Sequence, residues 1–143
     1  MIDESFITNY IADTFADVQS TINWGYTFFF YRDDHMHAFA TIASTGNEHE
    51  KISNLDRPGV YRLNIGVSRA TFQSLFGTKK FDAGDYDFTA LDVIMPHPDY
   101  SSQNFLCVLS PGEATFAAIR PLLAEAYDIA VKRYHRRKAT DAT

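Results

Sequence analysis

Four aromatic residues in succession, Phe28 to Tyr31 in the stretch "TINWGYTFFFYR", restrict the fold more than any other feature of this sequence. Successive side chains of a strand point to opposite faces, so such a run fits a strand covered on both sides. The 12 phenylalanines and 8 tyrosines extend the point to the whole chain, whose core should be rich in rings. A length of 143 residues fits one domain with room for a real core. The 45% hydrophobic and 22% charged fractions are those of a folded, soluble protein.

The flanking segments supply partners for that strand. Charged "RDDHMH" reads as a turn, and "AFATIAS" (38–44) returns as an antiparallel neighbour. Upstream, "SFITNYIADTFADV" (5–18) repeats its apolar residues at three- and four-residue steps, one helical stripe. Polar "TGNEHEKISN" is a loop of the kind that moves or covers a site. Pro58-Gly59 turns the chain into a strand over 60–67. Val60, Arg62, Asn64 and Gly66 share one of its faces, and Tyr61, Leu63, Ile65 and Val67 the other. Ser68 caps a short helix ending at Gly77. "LDVIM" is a strand or short helix stopped by prolines, and "NFLCVL" is a buried strand. Ser110 and Glu113 form a capping box for a long C-terminal helix with Pro111 at its first position. Pro121 inside it predicts a kink or break. The expected fold is α+β, a single antiparallel sheet packed by an N-terminal helix, a short middle helix and a long C-terminal helix. The domain spans 1–138, with 139–143 as a flexible tail.

Several functions are disfavoured. No apolar run approaches the ~18–20 residues that cross a bilayer, so no membrane contact is expected. The first residues, "MIDESF", are acidic where a signal peptide is basic. One cysteine allows no internal disulfide, and Cys107 in its apolar run reads as a buried small hydrophobe. These features point to the cytoplasm. Net charge is −5, yet Lys132, Arg133, Arg136, Arg137 and Lys138 gather near the C-terminus. Residues 1–131 therefore carry 8 basic against 17 acidic residues, a body at −9 that repels phosphate backbones. Nucleic acid is not an expected partner of that body. The basic cluster complements a helix dipole, and nucleic-acid contact through it is the alternative.

The candidate chemistry is sparse. "MPHPDY" holds His97 between two prolines that mark the exit of a strand. His97 is either a general acid/base, oriented by Asp99 or Tyr100, or a structural bracket. Arg62 and Asn64 pair a planar cation with an amide on one strand face, a combination suited to a carboxylate or phosphate. The plainer reading gives Arg62 a carboxylate partner within the body. Trp24 either walls a pocket or is a half-buried core ring. His35 and His37, behind Asp33 and Asp34, form the one close histidine pair, but a solvated turn is its plainer reading. Zinc spacing, phosphate loops, dinucleotide fingerprints and the G-x-S-x-G elbow do not occur, so no metal or cofactor is expected.

The blocks "WGYTFFFY", "FATIAS", "LDRPGVYRLNIGVSRATFQSLFG", "DFTALDVIMPHPDY" and "CVLSPGEATF" together resemble a bacterial family built on a domain of unknown function. That resemblance covers nearly the whole chain and implies no catalytic residues. More distantly, the helix–sheet–helix order and the "HP" ahead of an aromatic strand are similar to MmcQ/YjbR-like domains, whose α+β fold is likened to DNA-binding "double wing" modules. The acidic body departs from a DNA binder.

The expectation is a non-catalytic module that binds a small ligand or a protein through a sheet-face cleft, with Arg62, Asn64, His97 and Trp24 as its contacts. The alternative is an enzyme using His97 as general acid/base with Asp99 orienting it. A homodimer is compatible with either.

Overall fold

The aromatic stretch folds as a hairpin. In the computed structural model, which describes residues 2–44 and 51–141, β1 (Val18–Asn23) and β2 (Tyr26–Tyr31) pair antiparallel across the turn Trp24-Gly25. Both turn residues have positive φ, 54° and 79°, the mark of a type I′ turn. β3 (Ala40–Ala43) joins β2, β4 (Arg62–Gly66) joins β3, and β6 (Phe105–Leu109) joins β4. The two-residue β5 (Met95–Pro96) closes the far edge beside β6. These six strands make one antiparallel sheet in the order β1-β2-β3-β4-β6-β5. With α1 (Glu4–Thr14), α2 (Arg69–Phe76) and the long α3 (Glu113–Asp141), the fold is the α+β arrangement expected from the sequence.

Alternation along β2 explains the aromatic run. Phe29 and Tyr31 join Ile42, Leu63, Ile65, Leu106 and Val108 in the core against Ile7 and Ile11 of α1 and Phe116, Ile119 and Leu123 of α3. Each such side chain contributes about 2–3 kcal/mol by leaving water. Tyr26, Phe28 and Phe30 occupy the opposite face. Part of that second face carries a smaller core of Ala43, Leu55, Val60, Phe88, Met95, Cys107 and Leu109. Arg57 ties together the two loops that cover it, donating to the carbonyls of Ser53, Asn54 and Thr89. The rest of the face stays open.

Several local expectations are corrected. α1 stops at Thr14 instead of reaching Val18, because Phe15 turns extended and Asp17 adopts φ 62° to start the hairpin. "LDVIM" contributes strand only at Met95, since Asp92 at φ 63° bends the chain after Leu91 bridges Leu109. The expected capping box is absent: α3 begins at Glu113, and Ser110, at φ 40°, instead accepts at Oγ from the Tyr61 N–H. The cap comes from Asp92, whose Oδ1 accepts from the Gly112 N–H at 2.7 Å. α3 also runs unbroken through Pro121. The carbonyl that loses its partner there belongs to Ala117, which is exposed and open to water. No helix among the described residues is long and apolar enough to cross a membrane.

Candidate functional site

The open part of the second sheet face forms a cleft of about 920 Å³. Its floor comes from β3 and β4. Residues alternate in a strand, so Arg62, Asn64 and Gly66 share one face, as the sequence reading proposed, and that face lies opposite the helices. Arg62 donates from Nε to Asn64 Oδ1 at 3.0 Å and from Nη1 to Ser53 Oγ at 2.9 Å. Asn64 Nδ2 donates to Thr41 Oγ1 at 2.9 Å. Arg62 is only 1% exposed, the largest fully buried side chain among the described residues. A guanidinium in that position survives only with its hydrogen bonds satisfied.

His97 extends this floor at the end of β5, and its backbone N–H donates to the Phe105 carbonyl of β6. Its ring nitrogen Nδ1 accepts from the backbone N–H groups of Asp99 at 3.0 Å and Tyr100 at 3.1 Å. The groups that hold the ring are the main-chain amides of Asp99 and Tyr100, the two residues named for that place in the sequence analysis. Two donors on Nδ1 leave the proton of the neutral ring on Nε2. Burial, and then the positive charge of Arg62, push the imidazole down to about 3. Nε2 has no hydrogen-bond partner among the described residues, no described buried polar atom is left unsatisfied, and His97 lines the cleft. Nε2–H accordingly opens on the cleft as a donor. The one lone pair of the neutral ring, on Nδ1, is engaged by the two amides.

The walls are aromatic. Tyr26, Phe28, Phe30 and His35 make a continuous row with centroid spacings of 5.9, 6.1 and 4.4 Å. Phe105 lies across Gly66, where an added Cβ would stand 2.8 Å from its ring and force that ring to shift. Trp24 is not the half-buried core ring of the plainer sequence reading. It projects from the hairpin tip, 83% exposed, and lines the cleft's rim with Met36 and Tyr100, which are also exposed. At the end where β3 begins, the cleft reaches Ala126, Ile129 and Arg133 of α3.

The structure thus brings Arg62, Asn64, His97, Trp24 and Asp99 to one cleft. The aromatic row and Arg133 are lining residues that sequence reading missed. Alternation within "YTFFF" carried the first signal. Arg133 follows Ala126 and Ile129 at helical spacing, a stripe legible only once the cleft is known. His35 stacks on Phe30 and bonds Gln19 at 2.7 Å. Among the described residues no three histidines, cysteines or carboxylates converge on one point. Within the basic cluster Lys132 pairs with Asp128, and Arg137 with the buried Asp34. The polar loop expected to cover a site falls largely on 45–50, outside the described residues.

No curated protein and no solved structure matches this chain. A family model does, over residues 2–139, nearly the whole length. The chain belongs to that family, described as a family of unknown function (DUF6194).

Proposed function

We propose that this protein is a non-catalytic module that binds a small organic ligand in the cleft on its second sheet face. One observation carries the reading: an aromatic-walled cleft of about 920 Å³ has a buried, hydrogen-bonded polar floor of Arg62, Asn64 and His97. Ligand sites commonly combine apolar walls of this volume with a few fixed polar groups. The floor is preorganised, since Asn64 holds Arg62 and two backbone amides hold His97, so little ordering entropy opposes binding. His97 serves as a fixed donor to a ligand acceptor, with Trp24 and Tyr100 shielding the mouth. The same reading puts the protein in a bacterial cytoplasm, supported by its likeness to a bacterial family and by its single cysteine.

The test is a ligand-observed NMR screen of a small-molecule library, followed by amide shift mapping of the hits. Hits should move resonances of β2, β4 and residues 97–105 together. Hits that map elsewhere, or a library without hits, would remove the reading.

A further inference from the structure

We infer that the ligand is an aromatic anion, its acidic group met by Arg133 and its ring system lying along the Tyr26–Phe28–Phe30 wall. The inference rests on the cleft being a ligand site and adds the charge class of what enters it.

Arg133 is the pivotal residue. It is half-buried on α3 and faces the cleft with Ala126 and Ile129, one helical stripe. Its neighbours in the basic cluster are engaged: Lys132 with Asp128, Arg137 with Asp34, and Lys138 over the Tyr134 ring. Arg133 itself makes no ion pair, hydrogen bond or ring contact among the described residues. Its helical neighbours three and four residues away are Ile129, Ala130, Arg136 and Arg137, so the helix supplies two like charges and no carboxylate. In a chain with 18 acidic residues, none of those described meets this guanidinium.

The remaining lining groups agree in sign. Arg62 is a cation already held by Asn64 and Ser53, and His97 is a neutral Nε2–H donor, while the one carboxylate on the described lining is the exposed Asp99. Partly desolvated guanidinium is a strong partner for a carboxylate or sulfonate, and the cleft's field favours that sign over neutral or cationic ligands. The nearly parallel Phe28 and Phe30 rings, 10° apart in plane, favour a flat aromatic body beside them.

Two probes with the same rings separate charge from shape: 8-anilinonaphthalene-1-sulfonate, an anion, and neutral N-phenyl-1-naphthylamine. Titrations use the full chain, with probe emission and quenching of Trp24, its one tryptophan, as readouts. The anion should bind about tenfold more tightly than the neutral probe and weaken as salt rises. Arg133→Gln should lower anion affinity about five- to tenfold, leave the neutral probe unchanged, and keep the wild-type circular dichroism. Ala38→Phe, which fills the cleft, should weaken both probes. Equal affinities with no effect of Arg133→Gln would overturn the anion inference while leaving the cleft a ligand site. Indifference of both probes to Ala38→Phe would overturn the inference together with the site.

Discussion

The guanidinium of Arg62 and the imidazole of His97 share the floor of one cleft, and the charge of the first helps to keep the second neutral. These two residues, far apart in the chain, meet because β4 and β5 both pair with β6. The arrangement turns a histidine, ordinarily a switch near neutral pH, into a fixed donor.

Bracket and donor are carried by different atoms of His97, so two substitutions separate them. His97→Asn keeps an acceptor for the amides of Asp99 and Tyr100 and removes the donor that faces the cleft. His97→Gln keeps a donor near Nε2 and loses the bracket. The asparagine variant should therefore cost about 1 kcal/mol in urea unfolding but abolish ligand binding. The glutamine variant should cost about 2–3 kcal/mol, with two N–H groups left without their acceptor. The reverse order would mean that Nδ1 is not the bracketing atom.

The stability of the native state should also fall on acidification through His97. Folded, the ring stays neutral down to about pH 3; unfolded, it titrates near its ordinary 6.5. Between those values the unfolded chain binds the extra proton, so the contribution is complete above 6.5 and is lost as pH falls. The slope is at most ~1.4 kcal/mol per pH unit from this one group. His97→Asn lacks it, so the wild-type advantage over that variant should shrink between about pH 7 and pH 5. An advantage independent of pH would show that the ring is not depressed.

How far the sequence led is instructive at these residues. The face shared by Arg62 and Asn64 followed from strand alternation alone, and the proline pair correctly marked where the sheet ends around His97. What periodicity cannot reach is pairing across long separations. The Nδ1 bonds of His97 run to main-chain amides, which nearly any residue at 99 or 100 would supply. The cap of α3 comes from Asp92, twenty residues upstream, which a local motif search at Ser110 does not consider. Trp24 misled for a different reason: an aromatic beside an aromatic run reads as core, whereas the type I′ turn puts it at a tip.

Trp24 should show opposed effects on stability and binding. Its φ of 54° strains a bulky residue, and Asn before Gly25 is the preferred pair for this turn. Trp24→Asn is expected to raise stability by about 0.5–1 kcal/mol in chemical denaturation while weakening ligand affinity, because the rim loses its ring. Lower stability with unchanged affinity would assign Trp24 a structural role.

The loop that carries His35 to Ala38 is latched to the C-terminal helix. Asp34, with its side chain 5% exposed, accepts from Arg137 at 3.2 Å and from the Met36 N–H at 3.4 Å. Arg137→Ala leaves a buried carboxylate without its cation, at a cost of about 1–2 kcal/mol given the half-exposed arginine. Amide exchange should quicken at 33–38 and stay slow in β4 and β6. Uniform acceleration would show that the pair supports the whole domain.

The most direct measurement is an NMR titration of the His97 ring nitrogens between about pH 4 and pH 8. Nδ1 should keep the shift of an unprotonated acceptor and Nε2 that of a protonated donor across the range, with Nε2–H moving when an aromatic anion is added. A midpoint near the ordinary 6.5, or a proton on Nδ1, would contradict the fixed donor on which the proposed binding site rests.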